Sequence, residues 1–458
     1  MERRIVNVLL HEADVSIDMA VRRITPDKST RKLFSLMVVL PVLLQGDPQA
    51  PVHITAFKSG DIIYLQSSLD KDTVKVGIQS KWGGSIVELA YRSRNTVNHF
   101  DHGREVQLAL WGGEETYGKC GDGLGRGPFG WNPVQAGDRY GHSSRTVAES
   151  VGANVIYTKV VPLEWCPDGK GGGMQQAVST PVTIEQWVSI SELNWRVVRV
   201  HYRIEYSGSQ RHSNAPQELP AVYANGEFRH FIYYAGAEPW TNDAVKDTTL
   251  NVPPPARVLH TTEHWLTLAD TAGFGLTVYL PTQYPYGVGR YLPGDSREGS
   301  ATSFYRPLVT ASWSPRSVTE GDYYLIVGNY REARQILYGI RGRLQSTQAM
   351  PPFGFVDTPR RGASVSGRVL ISGWAIDDQI VSKIDIDVDT RHLGLAELGI
   401  ERRDLLKGGF VGVSSRSGYQ YWLDTRRFPN GRHTLDISMF DSAGNQAFYG
   451  GIEIYIKN

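Results

Sequence analysis

The sequence predicts an all-β protein in two parts, a large antiparallel domain followed by a smaller sandwich. Short runs of β-branched and aromatic residues recur between turn signals, and 48 Gly and 24 Pro residues supply many turns. An amphipathic helical pattern stands out only around Tyr330–Leu344. With 458 residues, 41% hydrophobic and 21% charged, the chain is large enough for two or three globular domains and is not of the disordered class.

The strand patterns and one polar break predict where the two parts begin and end. In the large part, residues 50–346, the predicted strands are Val52–Phe57, Ile62–Gln66, Val74–Ile78, Ile86–Tyr91, Val106–Trp111, Val155–Val161, Val182–Ile190, Trp195–Tyr206, Trp265–Leu268, Phe274–Leu280 and Tyr323–Val327. The polar, Pro-containing stretch Gln345–Phe353 is typical of a domain linker. In the second part, residues 353–458, the predicted strands are Ser366–Trp374, Val381–Asp389, Tyr419–Leu423, His433–Phe440 and Gly451–Ile456. Their spacing predicts a small Ig-like sandwich.

Residues 1–48 are predicted to be an N-terminal extension with a signal peptide. Several basic residues precede the apolar run Leu33–Leu44, which is too short to span a bilayer but fits a signal-peptide core. The basic region is unusually long when counted from Met1, and a start at Met19 would give ordinary proportions. We therefore expect a secreted or periplasmic protein without a stable membrane anchor. A cytoplasmic protein in which this run forms a buried helix is the alternative.

The cysteines and the charge restrict the chemistry further. Cys120 and Cys166 are the only two cysteines, which in an exported chain predicts a disulfide, with two separate buried thiols as the alternative. The formal net charge of +1 provides no electrostatic basis for binding nucleic acid. The glycines of Gly125–Gly130 match G-x-G-x-x-G, but Pro128 and the residues after it cannot open a helix, so no dinucleotide cofactor is expected. Oligomeric state is left open.

A metal site is not predicted either. Asp385, Asp387 and Asp389 alternate with apolar residues, which is typical of one solvated strand face. An EF-hand is excluded because its sixth position would be Thr390 rather than Gly. Calcium bound by carboxylates that face each other is the alternative.

Two resemblances follow from longer stretches of sequence. Residues 354–378 (GFVDTPRRGASVSGRVLISGWAIDD) and 421–445 (YWLDTRRFPNGRHTLDISMFDSAGN) resemble a bacterial Ig-like accessory module. Residues 80–111 (SKWGGSIVELAYRSRNTVNHFDHGREVQLALW) resemble the galactose-mutarotase-like β-supersandwich of carbohydrate-active proteins. That resemblance implies a large supersandwich with a sugar cleft, near which Arg104 begins a strand after Gly103.

The first candidate site is the polar segment 98–107. Within ten residues it holds five polar or charged side chains, His99, Asp101, His102, Arg104 and Gln107. Regular alternation in a strand places Arg104 and Gln107 on opposite faces, unless a bulge or the start of the strand reorients Arg104. The alternative is a polar hairpin with a surface Arg–Asp pair.

The second candidate is the loop 127–144. Trp131 can stack on a sugar face, while Asn132, Gln135 and Asp138 can hydrogen-bond hydroxyl groups, and His142 completes the polar set. Asp138 can also act as a general acid or base. A purely structural loop is the alternative.

The third candidate is the aromatic segment 217–240. Glu218, two positions before Pro220, is expected at the end of an extended loop, and Tyr223, His230 and Trp240 are expected to line a sugar subsite. Ordinary sheet aromatics are the alternative, and Glu263 is a reserve carboxylate.

These residues predict an exported carbohydrate-active enzyme with a glycan as its partner. A glycoside hydrolase is favoured, with Asp138 and Glu218 as its two carboxylates. The alternatives are a polysaccharide lyase on a uronic-acid polymer, with His99 or Tyr223 as base and Arg104 neutralising the uronate, and a non-catalytic surface glycan-binding protein.

Overall fold

A computed structural model describes residues 52–112, 130–168, 170–250, 257–282, 284–291, 299–344, 352–377, 380–408, 414–442 and 446–458. Strands dominate these residues, and nearly all neighbouring strands are antiparallel, which confirms the predicted all-β class. The strands up to residue 329 are, in chain order, β1 (His53–Ser59), β2 (Ile62–Leu69), β3 (Asp72–Gln79), β4 (Ser85–Tyr91), β5 (Arg94–Asn95), β6 (Val106–Ala109), β7 (Pro133–Val134), β8 (Arg145–Val151), β9 (Ile156–Val161), β10 (Leu163–Glu164), β11 (Val182–Ile190), β12 (Val197–Tyr206), β13 (His212–Asn225), β14 (His230–Tyr233), β15 (Lys246–Thr249), β16 (Arg257–Leu259), β17 (Trp265–Ala269), β18 (Phe274–Tyr279), β19 (Tyr286–Tyr291), β20 (Thr302–Pro307), β21 (Val309–Trp313) and β22 (Val318–Asn329).

These strands form two sheets that share one core. In the described part of the chain, thirteen strands make the large sheet, whose main path is β1-β2-β3-β4-β6-β13-β20-β19-β16. Nine strands make the second sheet, in the order β15-β14-β17-β18-β22-β12-β11-β9-β8. Val76 and Ile86 of the large sheet and Ile184 and Val200 of the nine-stranded sheet belong to one fully buried apolar cluster. The core therefore lies between the two sheets.

Strand β11 shows why the sequence forms these sheets. Every second residue from Val182 to Ile190 is buried, and the residues between them are partly exposed. Successive side chains of a strand point to opposite faces, so a period of two in the sequence buries one face of the strand. The predicted bounds Val182–Ile190 are those observed.

The helix α1 (Tyr330–Ile340) follows the last long strand of the nine-stranded sheet and continues into a short 3-10 turn, Arg341–Arg343. The Asn329 side chain caps its first turn by accepting the Arg331 N–H. Ala333 and Leu337 pack in one apolar cluster with Trp265 of β17. The helix therefore covers the outer face of the nine-stranded sheet. A second 3-10 turn, Ser80–Trp82, joins β3 to β4.

Residues from 353 onward form a separate pair of sheets. Their strands are β23 (Phe353–Thr358), β24 (Ala363–Val365), β25 (Arg368–Ile376), β26 (Val381–Val388), β27 (Arg391–Leu395), β28 (Glu397–Ile400), β29 (Gly418–Asp424), β30 (Gly431–Asp441) and β31 (Gln446–Ile456), with 3-10 turns at Leu405–Gly408 and Thr425–Arg427. Among the described residues, one sheet has the order β23-β25-β29-β28 and the other β24-β31-β30-β26-β27. Ile371 and Tyr419 of the first sheet share a core with Ile384 and Leu435 of the second. The sandwich is thus observed, while its Ig-like character stays a prediction.

Strand β13 corrects one prediction. Glu218 was expected at the end of a loop, but it lies within β13, a strand that also contains Pro216 and Pro220. The first half of β13 pairs with β21, and the register shifts between Glu218 and Ala221 where it pairs with β6. Pro220 lies at this irregularity, where no ladder hydrogen bond is needed. Pro216 instead pairs in register with Thr310 of β21. The two prolines explain why the sequence pattern did not predict this strand.

Candidate functional site

Alternate residues of β13 and β20, which are neighbours in the large sheet, face away from the core. Val222 and Tyr305 are paired across the two strands and belong to the core. Tyr223 and Phe304, one position away on each strand, are also paired and form a separate apolar cluster. Because successive side chains point to opposite faces, Tyr223 and Phe304 lie on the outer face of the large sheet.

An ion pair lies on the same outer face, two residues further along β20. Arg306 Nη1 donates to Glu218 Oε1 at 2.7 Å, and the two side chains are only 14% and 11% exposed. The Arg306 guanidinium carbon lies 5.9 Å from the centre of the Trp111 ring. Gly287 of β19 is paired with Arg306, so the neighbouring strand places no side chain beside the guanidinium.

Three further aromatic rings pack together on the sheet face that carries this ion pair. The ring centres of Tyr223 and Phe304 are 4.4 Å apart. The rings of Tyr223 and Tyr291 are stacked, with centres 6.2 Å apart and planes 18° from parallel. We call these residues the Glu218 site: Glu218, Arg306, Trp111, Tyr223, Tyr291 and Phe304.

Burial changes the proton affinity of two groups in the Glu218 site. It raises the pKa of the Glu218 carboxyl, although the Arg306 charge and hydrogen bonds from Arg306 and Trp111 oppose it. Burial also raises the pKa of the Tyr223 phenol well above its ordinary value, with smaller contributions from Tyr291 and Glu218. A carboxyl whose pKa is raised is suited to general acid catalysis, and a phenol of high pKa stays a hydrogen-bond donor.

The Arg104 guanidinium donates to the Ser300 carbonyl, two residues before β20, at 3.0 Å. Its charge opposes the rise that burial causes in the pKa of Tyr223. Its guanidinium is paired with Asp101, and His99 is partly buried in the same segment. Strand β6 begins only at Val106, and the backbone φ of Glu105 is +65°. Arg104 therefore lies before the strand, where strand alternation does not determine the direction of its side chain, and a cleft shared with Gln107 stays a prediction.

Asp138 shapes a turn in the second candidate segment. Its Oδ1 accepts the backbone N–H groups of Tyr140 at 2.9 Å and His142 at 3.0 Å, and its Oδ2 lies 2.6 Å from His142 Nδ1. The Asp138 side chain is fully buried. Among the described residues, no hydrogen bond or ion pair joins Asp138 to Glu218. The predicted pair of carboxylates is therefore not connected by direct contact.

The other predicted residues near this segment are buried and bonded within the protein. Asn132, Gln135 and Gln107 each donate from the side-chain amide to backbone carbonyl groups. Trp131 is 6% exposed, and its ring stacks on His212 with centres 3.9 Å apart. These contacts attach segment 130–144 to the sheets.

His230 and Trp240 belong to a different surface from the Glu218 site. His230 lies in β14 of the nine-stranded sheet, and its Nδ1 is 3.0 Å from Asp247 Oδ1. Trp240 packs against the cluster that contains α1, and the Arg341 guanidinium carbon lies 4.5 Å from its ring centre. The expectation that segment 217–240 lines one cleft is thus wrong, because the chain passes from the large sheet to the nine-stranded sheet after Asn225.

Sequence reasoning missed four members of the Glu218 site: Trp111, Tyr291, Phe304 and Arg306. A signal was present for Arg306, since Thr302–Pro307 reads TSFYRP and places Arg306 two positions after an aromatic residue. Its partner Glu218 lies 88 residues earlier in the chain. Only the pairing of β13 with β20 brings the two charges together.

The predicted disulfide lies partly outside the described residues. Cys166 is fully buried and disulfide-bonded. Cys120 lies outside the described residues, so its pairing with Cys166 stays a prediction. Within the described ranges, no three histidine, cysteine, aspartate or glutamate side chains form a metal-binding group. No helix in those ranges is both long enough and apolar enough to cross a bilayer.

Comparison with solved structures finds distant likenesses to this chain. The sequence matches no known family and no curated protein. A polysaccharide lyase is 10% identical with a TM-score of 0.30, covering 88% of this chain and 48% of its own. A protein assigned as a mutarotase from Salmonella typhimurium is 10% identical with a TM-score of 0.28, covering 61% and 97%. A GH36 α-galactosidase from Geobacillus stearothermophilus, solved in complex with stachyose, is 11% identical with a TM-score of 0.34, covering 69% and 45%.

This chain therefore spans about half the length of the lyase and of the galactosidase. Likenesses at these TM-scores assign it to no family. The two resemblances found in the sequence, galactose-mutarotase-like and Ig-like, stay predictions.

Proposed function

We propose that this protein binds a carbohydrate at the Glu218 site and acts on it by proton transfer through Glu218. The observation that carries the proposal is the Glu218–Arg306 ion pair, which lies beside the Trp111 ring and shares an outer sheet face with Tyr223 and Phe304. A carboxyl and a guanidinium together accept and donate hydrogen bonds to neighbouring sugar hydroxyls, and an aromatic ring packs against the C–H face of a pyranose. Convergent polar groups within an apolar surround are typical of small-molecule sites.

Hydrolysis of a glycosidic bond is the first reaction that this site supports. It requires one carboxyl to protonate the leaving oxygen and a second to act as nucleophile or base. Burial raises the pKa of Glu218, which suits the first role. Asp138 is the proposed second carboxylate. Because Asp138 also shapes its own turn, its replacement tests folding as well as activity.

Elimination from a uronic-acid polymer is the second reaction, and a specific observation favours it. Arg306 lies two positions after Phe304, whose ring centre is 4.4 Å from that of Tyr223. The Arg104 guanidinium donates to the Ser300 carbonyl, just before β20, at 3.0 Å. Burial raises the pKa of Tyr223, and both guanidinium charges oppose that rise. Two such cations would offset the carboxylate charge of a uronate, and the Tyr223 hydroxyl would donate a proton to the leaving oxygen, with His99 as the base. A glycan-binding protein without catalysis would use the same contacts.

One screen with variants separates these candidates. Neutral and uronic-acid polysaccharides are tested for release of reducing ends and for absorbance of unsaturated products. Glu218→Gln should lower turnover by about 10²–10⁴-fold, the usual contribution of a general acid or base. Glu320→Gln is the matched control, since Glu320 is an exposed strand carboxylate paired with Arg203 at 3.2 Å.

The outcomes differ for each candidate. If neither Glu218→Gln nor Asp138→Asn loses more than about tenfold on a cleaved substrate, the hydrolase is wrong. Unsaturated products that disappear with Tyr223→Phe and Arg306→Gln identify the lyase. Glycan retention without cleavage, lost in Glu218→Gln, identifies a binding protein. A Glu218→Gln variant that still binds and cleaves as the wild type does would place the site elsewhere.

A further inference from the structure

His102 and Ser143, which lie outside the Glu218 site, are hydrogen-bonded to each other. His102 Nε2 lies 3.1 Å from Ser143 Oγ. The His102 ring packs against the Trp82 ring, with centres 4.4 Å apart. On its other side the backbone is close, because a Cβ on Gly137 would lie 2.8 Å from His102 Cδ2. The imidazole is therefore held in place with one nitrogen directed at the serine hydroxyl.

The surroundings of His102 favour its neutral form. Burial lowers its pKa, and the neighbouring His142 lowers it further, while Asp101 and Asp138 raise it by smaller amounts than burial lowers it. A neutral imidazole nitrogen can accept a proton from a hydroxyl group at neutral pH. His102 thus meets the chemical requirement for a general base.

Ser143 opens onto a groove that can hold a small substrate. The groove has a volume of about 540 Å³ and runs between the Ser80–Trp82 turn and β8. Ser143 and Arg145 are both exposed on its wall. Lys81, on the other wall, is paired with Asp61 at 2.5 Å, whereas Arg145 forms no ion pair within the described part of the chain. Arg145 is therefore a cation open to a ligand.

We propose that Ser143 and His102 form a nucleophile–base pair that hydrolyses acyl esters bound in this groove. Ser143 Oγ attacks the ester carbonyl carbon, and its proton passes to His102 Nε2. The bond to the alcohol breaks, and His102 returns that proton to the leaving alcohol. Water then attacks the acyl-serine, its proton passes through His102 back to Ser143 Oγ, and the carboxylic acid leaves. Arg145 would stabilise the negative charge on the carbonyl oxygen in both steps.

Covalent labelling of the full chain tests this pair directly. Folded protein is incubated with a fluorophosphonate, and the modified peptide is identified by mass spectrometry, with p-nitrophenyl acetate hydrolysis measured in parallel. The wild type should carry one adduct on Ser143, and Ser143→Ala should lose both the adduct and the turnover. His102→Gln should slow both by about 10²–10⁴-fold.

Ser80→Ala is the matched control. Ser80 lines the same groove but donates to Glu149 at 2.5 Å, so its removal should leave labelling unchanged. A folded wild type without an adduct on Ser143 overturns the proposal, as does equal turnover in Ser143→Ala. If His102→Gln unfolds, Ser143→Ala still decides, because Ser143 is exposed and its hydroxyl can be removed without a packing loss. The proposal is independent of the Glu218 site, and Glu218→Gln should label normally.

Discussion

Replacing Glu263 with Gln should destabilise the protein severely, because this buried carboxylate holds α1 to the nine-stranded sheet. Arg334 of α1 donates to both of its oxygens, at 2.6 and 2.9 Å. The Trp265 indole, the Tyr338 hydroxyl and the Trp240 backbone N–H donate to it at 2.8, 2.9 and 2.8 Å. The Glu263 side chain is fully buried, and Arg334 is 5% exposed. Five donors therefore converge on one carboxylate with little access to water.

The loss of stability in Glu263→Gln can be estimated from the groups that lose their partner. In Glu263→Gln one oxygen becomes an NH₂ group that faces donors, and the Arg334 charge stays buried without its counter-charge. Breaking a buried ion pair by removing one partner costs about 3–5 kcal/mol in the free energy of unfolding. Glu332→Gln is the matched control on the same helix. Its carboxylate pairs with Arg196 at 2.8 Å but is 57% exposed, so its loss should cost only about 0–1 kcal/mol.

Urea unfolding followed by tryptophan fluorescence and far-UV circular dichroism measures both variants. The reasoning is refuted if Glu263→Gln and Glu332→Gln have the same unfolding midpoint within error. The pH dependence gives a second check, because the hydrogen bonds keep the pKa of Glu263 below its ordinary value despite burial. A carboxyl whose pKa is lower in the folded state stabilises the fold above the unfolded pKa of about 4.3. The difference between the wild type and Glu263→Gln should therefore be full at neutral pH and shrink as the pH falls through the folded pKa.

Three further predictions concern the disulfide, the N-terminus and the second sandwich. Non-reducing peptide mapping should show Cys120 linked to Cys166, and two freely alkylated thiols in the native protein would contradict the pairing. N-terminal sequencing of exported protein should begin at residues 47–51, and a product that keeps residues 20–44 would show that the run is not a cleaved signal. Residues 353–458 expressed alone should unfold cooperatively, because they have their own core. Their melting temperature should be lower than in the full chain, because contacts such as that of the Phe448 N–H with Ser312 Oγ at 2.6 Å are lost.

The sequence by itself determined the fold class and about half of the described strands. The reason is that burial on one side of a sheet imposes a period of two, which can be read locally, as in Val182–Ile190. The signal for the helix that begins at Tyr330 is equally local, since the helix follows a capping asparagine and repeats its apolar residues on one face. Strand β13 was not predicted, because its two prolines remove the local strand signal. Its register shift depends on the neighbouring strands, which the local sequence does not report.

Only the tertiary structure decided which candidate side chains meet. Glu218 was recognised in the sequence, but its partner Arg306 was not, because their contact depends on which distant strands pair. His230 and Trp240 were grouped with Glu218 because they are near it in the sequence. The chain passes from the large sheet to the nine-stranded sheet after Glu218 and before His230. Sequence patterns report whether a residue faces the core or the outside. Which outward-facing residues become neighbours depends on strand order, and that is fixed by long-range packing of the whole core.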